Sequence, residues 1–263
     1  MKKLLSVFIL LASLISANAY SQAYPLPKVT LQISGGYGTP LGDFKTDIPA
    51  TTRADDEYFA YYTKQLVNFG ATGKLSLGAR GNARITFGIT DNIFTNNTNA
   101  VFTADADGTL VTTNFKPKVN VLSVALGGEY AFSPTQKVNP YIGAQLAANF
   151  FSGDFTFGQT VFVKDALRTA PMDMKSETRI GLIFDGGMDF RLSPQVGANI
   201  GLKYHLINLI GAGADNEAEV GPNEIDLGDK AHVDGEGNSI PARSVSSISG
   251  YAGVTFFFGL LHK

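Results

Sequence analysis

The residues of this chain that could do chemistry are mostly acidic, and the first group to consider is Asp105-Ala106-Asp107-Gly108. It carries half of the pattern of a calcium-binding loop, in which carboxylates alternate along the chain before a glycine. A complete loop also needs a further Asp or Asn before the glycine and a bidentate Glu at the twelfth position, and the chain has neither. Because apolar and β-branched residues flank the group, Asp107-Gly108 instead predicts a tight hairpin turn.

Two other groups fall short of a site for similar reasons. Asp55 and Asp56 are adjacent acids in a polar stretch, so they are not held opposite each other, and no histidine lies in that stretch. His232 and His262 have no companions at the spacing of metal ligands. We therefore expect no catalytic residue, no cofactor-binding residue and no metal ligand.

The N-terminus has the pattern of a secretory signal peptide. Two lysines precede an apolar run over 4–15, and small residues stand at Ala17 and Ala19. The run is shorter than the ~20 residues that a membrane anchor helix needs. We expect a signal peptide at 1–19 that is cleaved after Ala19, with Ala23 as the alternative site.

The composition argues against several classes of protein. Of the 21 Lys and Arg, two lie in the signal peptide, which leaves 19 against 23 acids, and no basic run occurs. We therefore expect no nucleic-acid partner. The chain has no cysteine, which excludes a lipoprotein anchor and disulfides.

After the signal peptide, one pattern occurs eight times: apolar residues at every second position, with no charge in that register. A period of two is typical of β-strands with one apolar face. We predict strands at 28–38, 66–78, 83–94, 119–132, 140–151, 177–192, 196–207 and 245–258. The predicted fold is all-β: an eight-stranded antiparallel up-and-down transmembrane β-barrel that occupies 20–263 as one domain.

The connections between the predicted strands alternate in length. Short turns at 79–82, 133–139 and 193–195 are rich in Gly, Pro, Ser and Asn. Long loops lie at 39–65, 95–118, 152–176 and 208–244. Short periplasmic turns opposite long external loops are typical of outer-membrane barrels.

The two faces of the strands differ in character. The polar register mixes small hydrogen-bonding residues with both signs of charge, which suits the narrow lumen of an eight-stranded barrel. We therefore expect the following residues to face the lumen: Gln32, Ser34, Thr72, Lys74, Ser76, Arg84, Thr86, Ser123, Glu129, Gln145, Asn149, Arg179, Asp185, Asp189, Arg191, Asn199, Lys203, His205, Ser249 and Tyr251. A soluble, lipocalin-like barrel would invert the faces and enclose a ligand, and this is the alternative architecture.

Aromatic residues near the strand ends predict two girdles at the lipid interfaces. The girdle at the loop end would contain Tyr37, Phe69, Phe94 and Phe150, and the girdle at the turn end Tyr130, Phe132, Phe190, Phe256 and Phe258.

One hairpin allows a specific pairing to be predicted. The turn at 193–195 places Leu192 opposite Val196, which brings Asp185 opposite Lys203 on the polar register. Opposed side chains have Cβ atoms ~4.5–5.5 Å apart. We expect Asp185 and Lys203 to form a structural charge pair inside the barrel.

The chain resembles the family of small outer-membrane β-barrels that includes the OmpA-type and OmpX-type barrels. The resemblance rests on Gly35-Gly36-Tyr37-Gly38-Thr39-Pro40-Leu41-Gly42-Asp43-Phe44, on Asn139-Pro140-Tyr141-Ile142-Gly143-Ala144, and on Tyr251, Gly253, Phe256 and Phe258 in the last strand. The last four are similar to the signal by which the barrel assembly machinery recognises such proteins, although this chain ends five residues later, at Lys263. The family implies contacts with outer-membrane lipids and lipopolysaccharide.

A comparison with lipid A deacylase barrels favours a protein without enzymatic activity. Those enzymes carry a His-x-Ser-Asn motif, and this chain has His205-Leu206-Ile207-Asn208. Ile207 replaces the nucleophilic serine, and a triad needs its nucleophile within hydrogen-bond reach of the base. A lipid-modifying enzyme is therefore only an alternative.

The acidic stretch at 208–244 has two interpretations. Its only basic residues are Lys230 and Arg243, and its acids are Asp215, Glu217, Glu219, Glu224, Asp226, Asp229, Asp234 and Glu236. These acids could bridge divalent cations to lipopolysaccharide phosphates, or could serve solubility alone. The expected protein is a monomeric outer-membrane barrel with a structural, adhesive or surface-interaction role, whose loops meet an unknown extracellular partner.

Overall fold

The computed structural model describes residues 24–45, 63–103, 109–163, 166–168, 171–210, 224–225, 227, 229, 232–233, 239–240 and 242–261. The predicted signal peptide at 1–19 lies outside them. Within the described ranges, no helix has both the length and the apolar character needed to cross a membrane.

The described residues form β-strands and a 3-10 turn at Asp43–Lys45. The strands are β1 (Leu26–Gly42), β2 (Gln65–Leu77), β3 (Ala83–Thr95), β4 (Thr98–Thr103), β5 (Leu110–Ala131), β6 (Val138–Phe157), β7 (Val161–Val163), β8 (Ala166–Arg168), β9 (Met172–Arg191), β10 (Val196–Ile210), β11 (Glu224–Ile225), β12 (His232–Val233), β13 (Ser239–Ile240) and β14 (Val245–Leu261).

Eight of these strands close into an antiparallel ring in the order β1-β2-β3-β5-β6-β9-β10-β14. The last strand pairs with the first, from Val245 opposite Gly42 to Leu261 opposite Leu26. Because the ring follows chain order, neighbouring strands are joined by hairpins, and closure leaves the ring without a free edge. The predicted eight-stranded up-and-down barrel is confirmed.

The two faces of the barrel wall have the predicted polarity through most of its height. Outward residues are apolar and exposed, for example Leu146 at 59% and Leu202 at 64%. Inward residues are polar and buried, for example Lys74 at 2% and Glu129 at 6%. The lipocalin-like alternative is therefore wrong, because the apolar face lies outside and encloses no ligand space.

On β5 and β6, above this band and towards the loops, the two faces exchange their character. Leu122 and Phe150 lie opposite each other and are the last exposed apolar residues of β5 and β6 among those whose exposure the structure describes. Beyond them the outward residues are polar, namely Asn120, Lys118, Lys116, Ser152, Asp154 and Thr156, while the inward residues Val121, Val119, Phe115, Phe151 and Phe155 are buried. A polar exterior around an apolar interior is the arrangement of a water-exposed protein. The exchange therefore marks the edge of the lipid-facing band on the side of the loops.

The expected position of Phe94 in the outer aromatic girdle is wrong. Phe94 is fully buried and packs edge-to-face on Phe44 with the ring centroids 4.7 Å apart. It shares the inward register of β3 with Arg84 and Asn92. Near the loop end this inward register is apolar, so an aromatic residue at this level does not by itself indicate contact with lipid.

The extra strands all belong to the loop end. β4 pairs with the upper part of β5, from Thr98 opposite Phe115 to Thr103 opposite Leu110. The hairpin predicted for the second loop is thus present, although its turn at Asp107-Gly108 lies outside the described residues. β7 and β8 form a hairpin beside β4, and β11 adds to β9 in parallel. The barrel wall therefore continues above the lipid-facing band.

Candidate functional site

The lower lumen, towards the short turns, holds a chain of buried ion pairs. Arg84 on β3 and Glu129 on β5 are register partners, and Arg84 Nη1 lies 2.9 Å from Glu129 Oε1. Lys74 Nζ on β2 lies 2.5 Å from Glu129 Oε2, and Arg84 Nη1 lies 3.2 Å from Asp189 Oδ2 on β9. Two cations and two carboxylates thus neutralise one another out of contact with water, where an unpaired charge would be costly.

Amide side chains connect these ion pairs to the remaining walls. Asp189 accepts hydrogen bonds from Gln32 Nε2 at 2.6 Å and from Asn139 Nδ2 at 3.2 Å. Gln32 stands on β1, which is three strands away from β9 around the ring. The network therefore crosses the lumen from wall to wall and joins β1 to β9 through side chains.

Two tyrosines cross the lumen a little higher, above a pair of glycines. Tyr141, Gly187, Gly201 and Tyr251 stand in one row across β6, β9, β10 and β14. The two hydroxyls are 2.7 Å apart, and Lys74 Nζ lies 3.8 Å from the Tyr141 ring centroid. A Cβ atom on Gly187 would come within 2.7 Å of the Tyr141 hydroxyl, so only glycine lets this ring lie against the wall.

Asp185 and Lys203 stand directly opposite each other, as the register predicts. The Lys203 ammonium, however, lies 3.5 Å from Thr90 Oγ1 on the facing wall and 5.6 Å from the Tyr251 ring centroid. Among the described residues, Lys203 makes no direct ion pair with Asp185, and Asp185 Oδ1 has no hydrogen-bond partner. Lys203 is long enough to reach across the narrow lumen, which register alone does not reveal. Their energetic coupling stays a prediction.

The last-strand residues of the predicted assembly signal lie on both faces of the wall. Tyr251 and Gly253 share the inward register of β14, and Phe258 is 51% exposed on the outward face, with Phe256 on the same side. Recognition of these residues by the assembly machinery stays a prediction.

The loop end of the interior is filled by an apolar cluster. Its members come from seven of the barrel strands, from β4 and β7, and from the loops: Phe44, Leu66, Phe94, Phe102, Phe115, Val119, Val121, Phe151, Phe155, Phe157, Val161, Met172, Met174, Ile207, Leu227 and Val245. Phe102 packs edge-to-face on Phe115 and on Phe157, with centroids 5.4 and 5.2 Å apart. The loop ends thus share a core of their own.

A buried clasp ties the fourth loop to this core. Arg179 on β9 donates to both carboxylate oxygens of Asp229, at 3.0 and 2.7 Å, and also pairs with Glu177. Asn208 Nδ2 donates to the same carboxylate at 2.9 Å, and the Arg243 amide donates to the Asp229 carbonyl at 3.0 Å. Asp229 is fully buried and paired, so solubility does not explain this acid of the 208–244 stretch. Asp229 stands 50 residues from Arg179, and no local pattern reveals the pair.

The other groups considered as candidate sites do not assemble into a site among the described residues. His205 faces the lumen and is 2% exposed, while Ile207 faces inward and belongs to the apolar cluster. Asp55, Asp56, the 105–108 group and His262 lie outside the described residues. No three His, Cys, Asp or Glu residues within the described part of the chain are placed to hold a metal ion.

The chain matches the outer membrane protein beta-barrel domain family over residues 7–231, and it belongs to that family. The protein is therefore an integral β-barrel of the outer membrane, and the eight strands are its membrane-spanning segments. No curated protein matches the chain.

Several solved structures are similar to this barrel. Neisserial surface protein A is 17% identical, with a TM-score of 0.47, and the match covers 88% of this chain and 97% of that one. OprG from Pseudomonas aeruginosa is 11% identical, with a TM-score of 0.41 and coverages of 90% and 99%. Ail, the attachment invasion locus protein of Yersinia pestis, solved with the heparin analogue sucrose octasulfate, is 11% identical, with a TM-score of 0.39 and coverages of 87% and 99%.

Proposed function

We propose that this protein is a non-enzymatic surface protein whose barrel carries a stiff, folded platform out of the outer membrane for interaction with an extracellular partner. The observation that carries the proposal is the exchange of polarity above Leu122 and Phe150. Strands that continue past the lipid with an apolar interior and a polar exterior form a body suited to contact in water.

The filled lumen favours this role over transport. Ion pairs, amide contacts and a tyrosine pair join opposite walls in the lower and middle lumen, and the apolar cluster fills the loop end. Eight-stranded barrels have interiors just wide enough for side chains. We therefore expect liposomes that contain the protein to swell in an arabinose gradient no faster than protein-free liposomes.

A lipid-modifying enzyme is the less favoured alternative. The inward Ile207 stands where the lipid A deacylase motif has its nucleophilic serine, and it is packed among apolar side chains. Ser247 on β14 lies opposite His205, but within the described part of the chain His205 Nε2 makes no hydrogen bond and so activates no hydroxyl. Mass spectrometry of lipid A from expressing and non-expressing cells should give identical acyl compositions.

We also propose partners at three levels of the molecule. The exposed apolar band meets outer-membrane lipids and lipopolysaccharide, the last strand meets the barrel assembly machinery, and the platform meets the extracellular partner. No described feature calls for a second copy, so the proposed form is a monomer.

The platform is tested by removing its β-arm, which is the hairpin of β4 and the upper part of β5, from Thr98 to Phe115. The Asn96 amide donates to the Pro117 carbonyl at 3.3 Å, so the arm closes at this level. A shortened variant joins Asn96 to Pro117 through an Asn-Gly turn and keeps the β3–β5 pairing below. Cells that display the wild-type protein should adhere to an epithelial monolayer several-fold more than cells with empty vector, and the shortened variant should lose this gain.

The control variant is Gln195→Ala, which changes an exposed residue at the opposite end of the barrel. Surface amounts must be equal, and each variant must keep the heat-dependent gel shift of a folded barrel. Equal adhesion by the wild-type and shortened proteins would contradict the platform role. Rapid entry of arabinose into the liposomes would indicate that the protein is a channel instead.

A further inference from the structure

The segment before β1 runs across the turn-end mouth of the barrel. The Tyr24 amide donates to the Thr135 carbonyl at 2.7 Å, and Thr135 lies in the turn between β5 and β6. In the ring, that turn is nearly opposite β1, because β2 and β3 lie between them on one side and β14, β10 and β9 on the other. Residues 24–26 therefore lie over the mouth, between the start of β1 and this turn.

Arg191 fastens this segment from a third direction. The residue ends β9 and is 2% exposed. Its Nη1 donates to the Pro25 carbonyl at 2.7 Å, and its Nη2 donates to the Pro134 carbonyl at 3.0 Å. One guanidinium thus joins the crossing segment to the turn on which it lands, using the fixed fork of donors that arginine provides.

Apolar and aromatic contacts hold the same segment along its length. The Arg191 guanidinium lies 4.4 Å from the Phe257 ring centroid and 5.4 Å from that of Tyr24, within the range of cation–π attraction. Leu26 is 5% exposed against the β2–β3 turn, where a Cβ atom on Gly81 would come within 3.0 Å of Leu26 Cδ2. The segment is therefore fixed at both ends and in the middle.

We propose that residues 24–26 form a strap that seals the turn-end mouth of the barrel, and that Arg191 is its fastener. The strap is a closure separate from the ion-pair network above it, and it does not depend on the proposed surface role. The segment that follows the predicted signal peptide is then a structural part of the barrel.

The position of the strap is tested by cross-linking. The chain has no cysteine, so Tyr24→Cys with Thr135→Cys introduces the only two. A backbone hydrogen bond of 2.7 Å brings these residues close enough for a disulfide, which needs Cα atoms ~4.4–6.8 Å apart. Mild oxidation of outer membranes should cross-link most of the protein, seen as faster migration on a non-reducing gel. The control pair, Lys28→Cys with Thr135→Cys, should not cross-link, and equal yields would overturn the proposal.

The seal itself is tested through a lumenal thiol. Ser76 lies on the inward register of β2 near the mouth, and its hydroxyl is buried, so Ser76→Cys is a nearly isosteric probe. A maleimide should label it slowly in solubilised protein, and at least tenfold faster when Arg191→Met is added. Arg80→Met, which changes an exposed turn arginine, should leave the rate unchanged.

A second variant, Tyr24→Gly with Pro25→Gly, loosens the strap while every barrel strand keeps its sequence. It should accelerate labelling of the Ser76→Cys probe to a similar extent. Labelling rates that stay at the starting value in both variants, with the gel shift of the folded barrel intact, would overturn the seal.

Discussion

At the scale of single residues, the rule in the lumen is that a buried charge has an oppositely charged partner nearby. Glu129 is shared by Lys74 and Arg84, and Asp189 by Arg84 and two amides. Asp185 departs from the rule, because one of its oxygens has no hydrogen-bond partner and Lys203 turns towards Thr90. This pair therefore measures how strongly opposed charges interact in the lumen without direct contact.

Lys203→Met should lower the urea concentration at which the barrel unfolds, because it removes the cation opposite Asp185. The loss should be smaller than the ~3–5 kcal/mol typical of breaking a direct buried pair. Asp185→Leu combined with Lys203→Met should recover much of the loss, since no unmatched charge remains. The midpoint is measured in detergent by the gel shift between folded and unfolded barrel.

The matched control for this pair is Thr90→Val, which removes the hydrogen-bond partner of Lys203 and no charge. It should cost less than Lys203→Met. Strictly additive effects of the two charge substitutions would mean that Asp185 and Lys203 do not interact.

At the level of the strands, the sequence predicts the part of each strand that faces lipid, and it does not predict the part above the lipid-facing band. The turn-side ends agree within three residues, but β5 begins at Leu110 rather than 119 and β9 at Met172 rather than 177. The predicted strands followed the outward apolar residues, such as Leu122. Above Leu122 the apolar residues, such as Phe115, are on the inward register. Apolar residues therefore still recur at every second position, but they face the interior instead of the lipid.

The last strand gives a prediction at this level. Phe258 is half exposed on the outward face of β14, opposite Val29 on β1, at the seam that closes the barrel. Phe256→Asp with Phe258→Asp should abolish accumulation in the outer membrane, because it places two charges where the closing strand meets lipid. Fractionation followed by immunoblotting measures the loss.

Phe256→Leu with Phe258→Leu is the matched control, since it keeps the face apolar and removes only the aromatic rings. This variant should fold and reach the outer membrane. A normal outer-membrane yield of the double Asp variant would show that these two residues are needed neither for lipid contact nor for assembly.

The whole molecule is layered from the turns to the loops. A crossing segment lies at the mouth, a polar network fills the lower lumen, tyrosines lie above it, and an apolar core with the Arg179–Asp229 clasp fills the loop end. The lipid-facing band surrounds the lower layers only. Loop length and alternation predict which end carries the long loops, but the layers depend on contacts between distant residues, such as Gln32 with Asp189, 157 residues apart.

We predict one orientation for this layered barrel, with the long loops outside the cell and the short turns in the periplasm. The chain has no cysteine, so single substitutions report without background. Asp105→Cys and Glu219→Cys should react on intact cells with a membrane-impermeant maleimide, whereas Gln195→Cys, in the exposed turn between β9 and β10, should react only after the outer membrane is permeabilised. The folded gel shift of each variant serves as the control. Labelling of Gln195→Cys alone on intact cells would mean that the barrel is inserted in the opposite orientation. The apolar core of the loop end would then lie in the periplasm, where it could not serve a surface role.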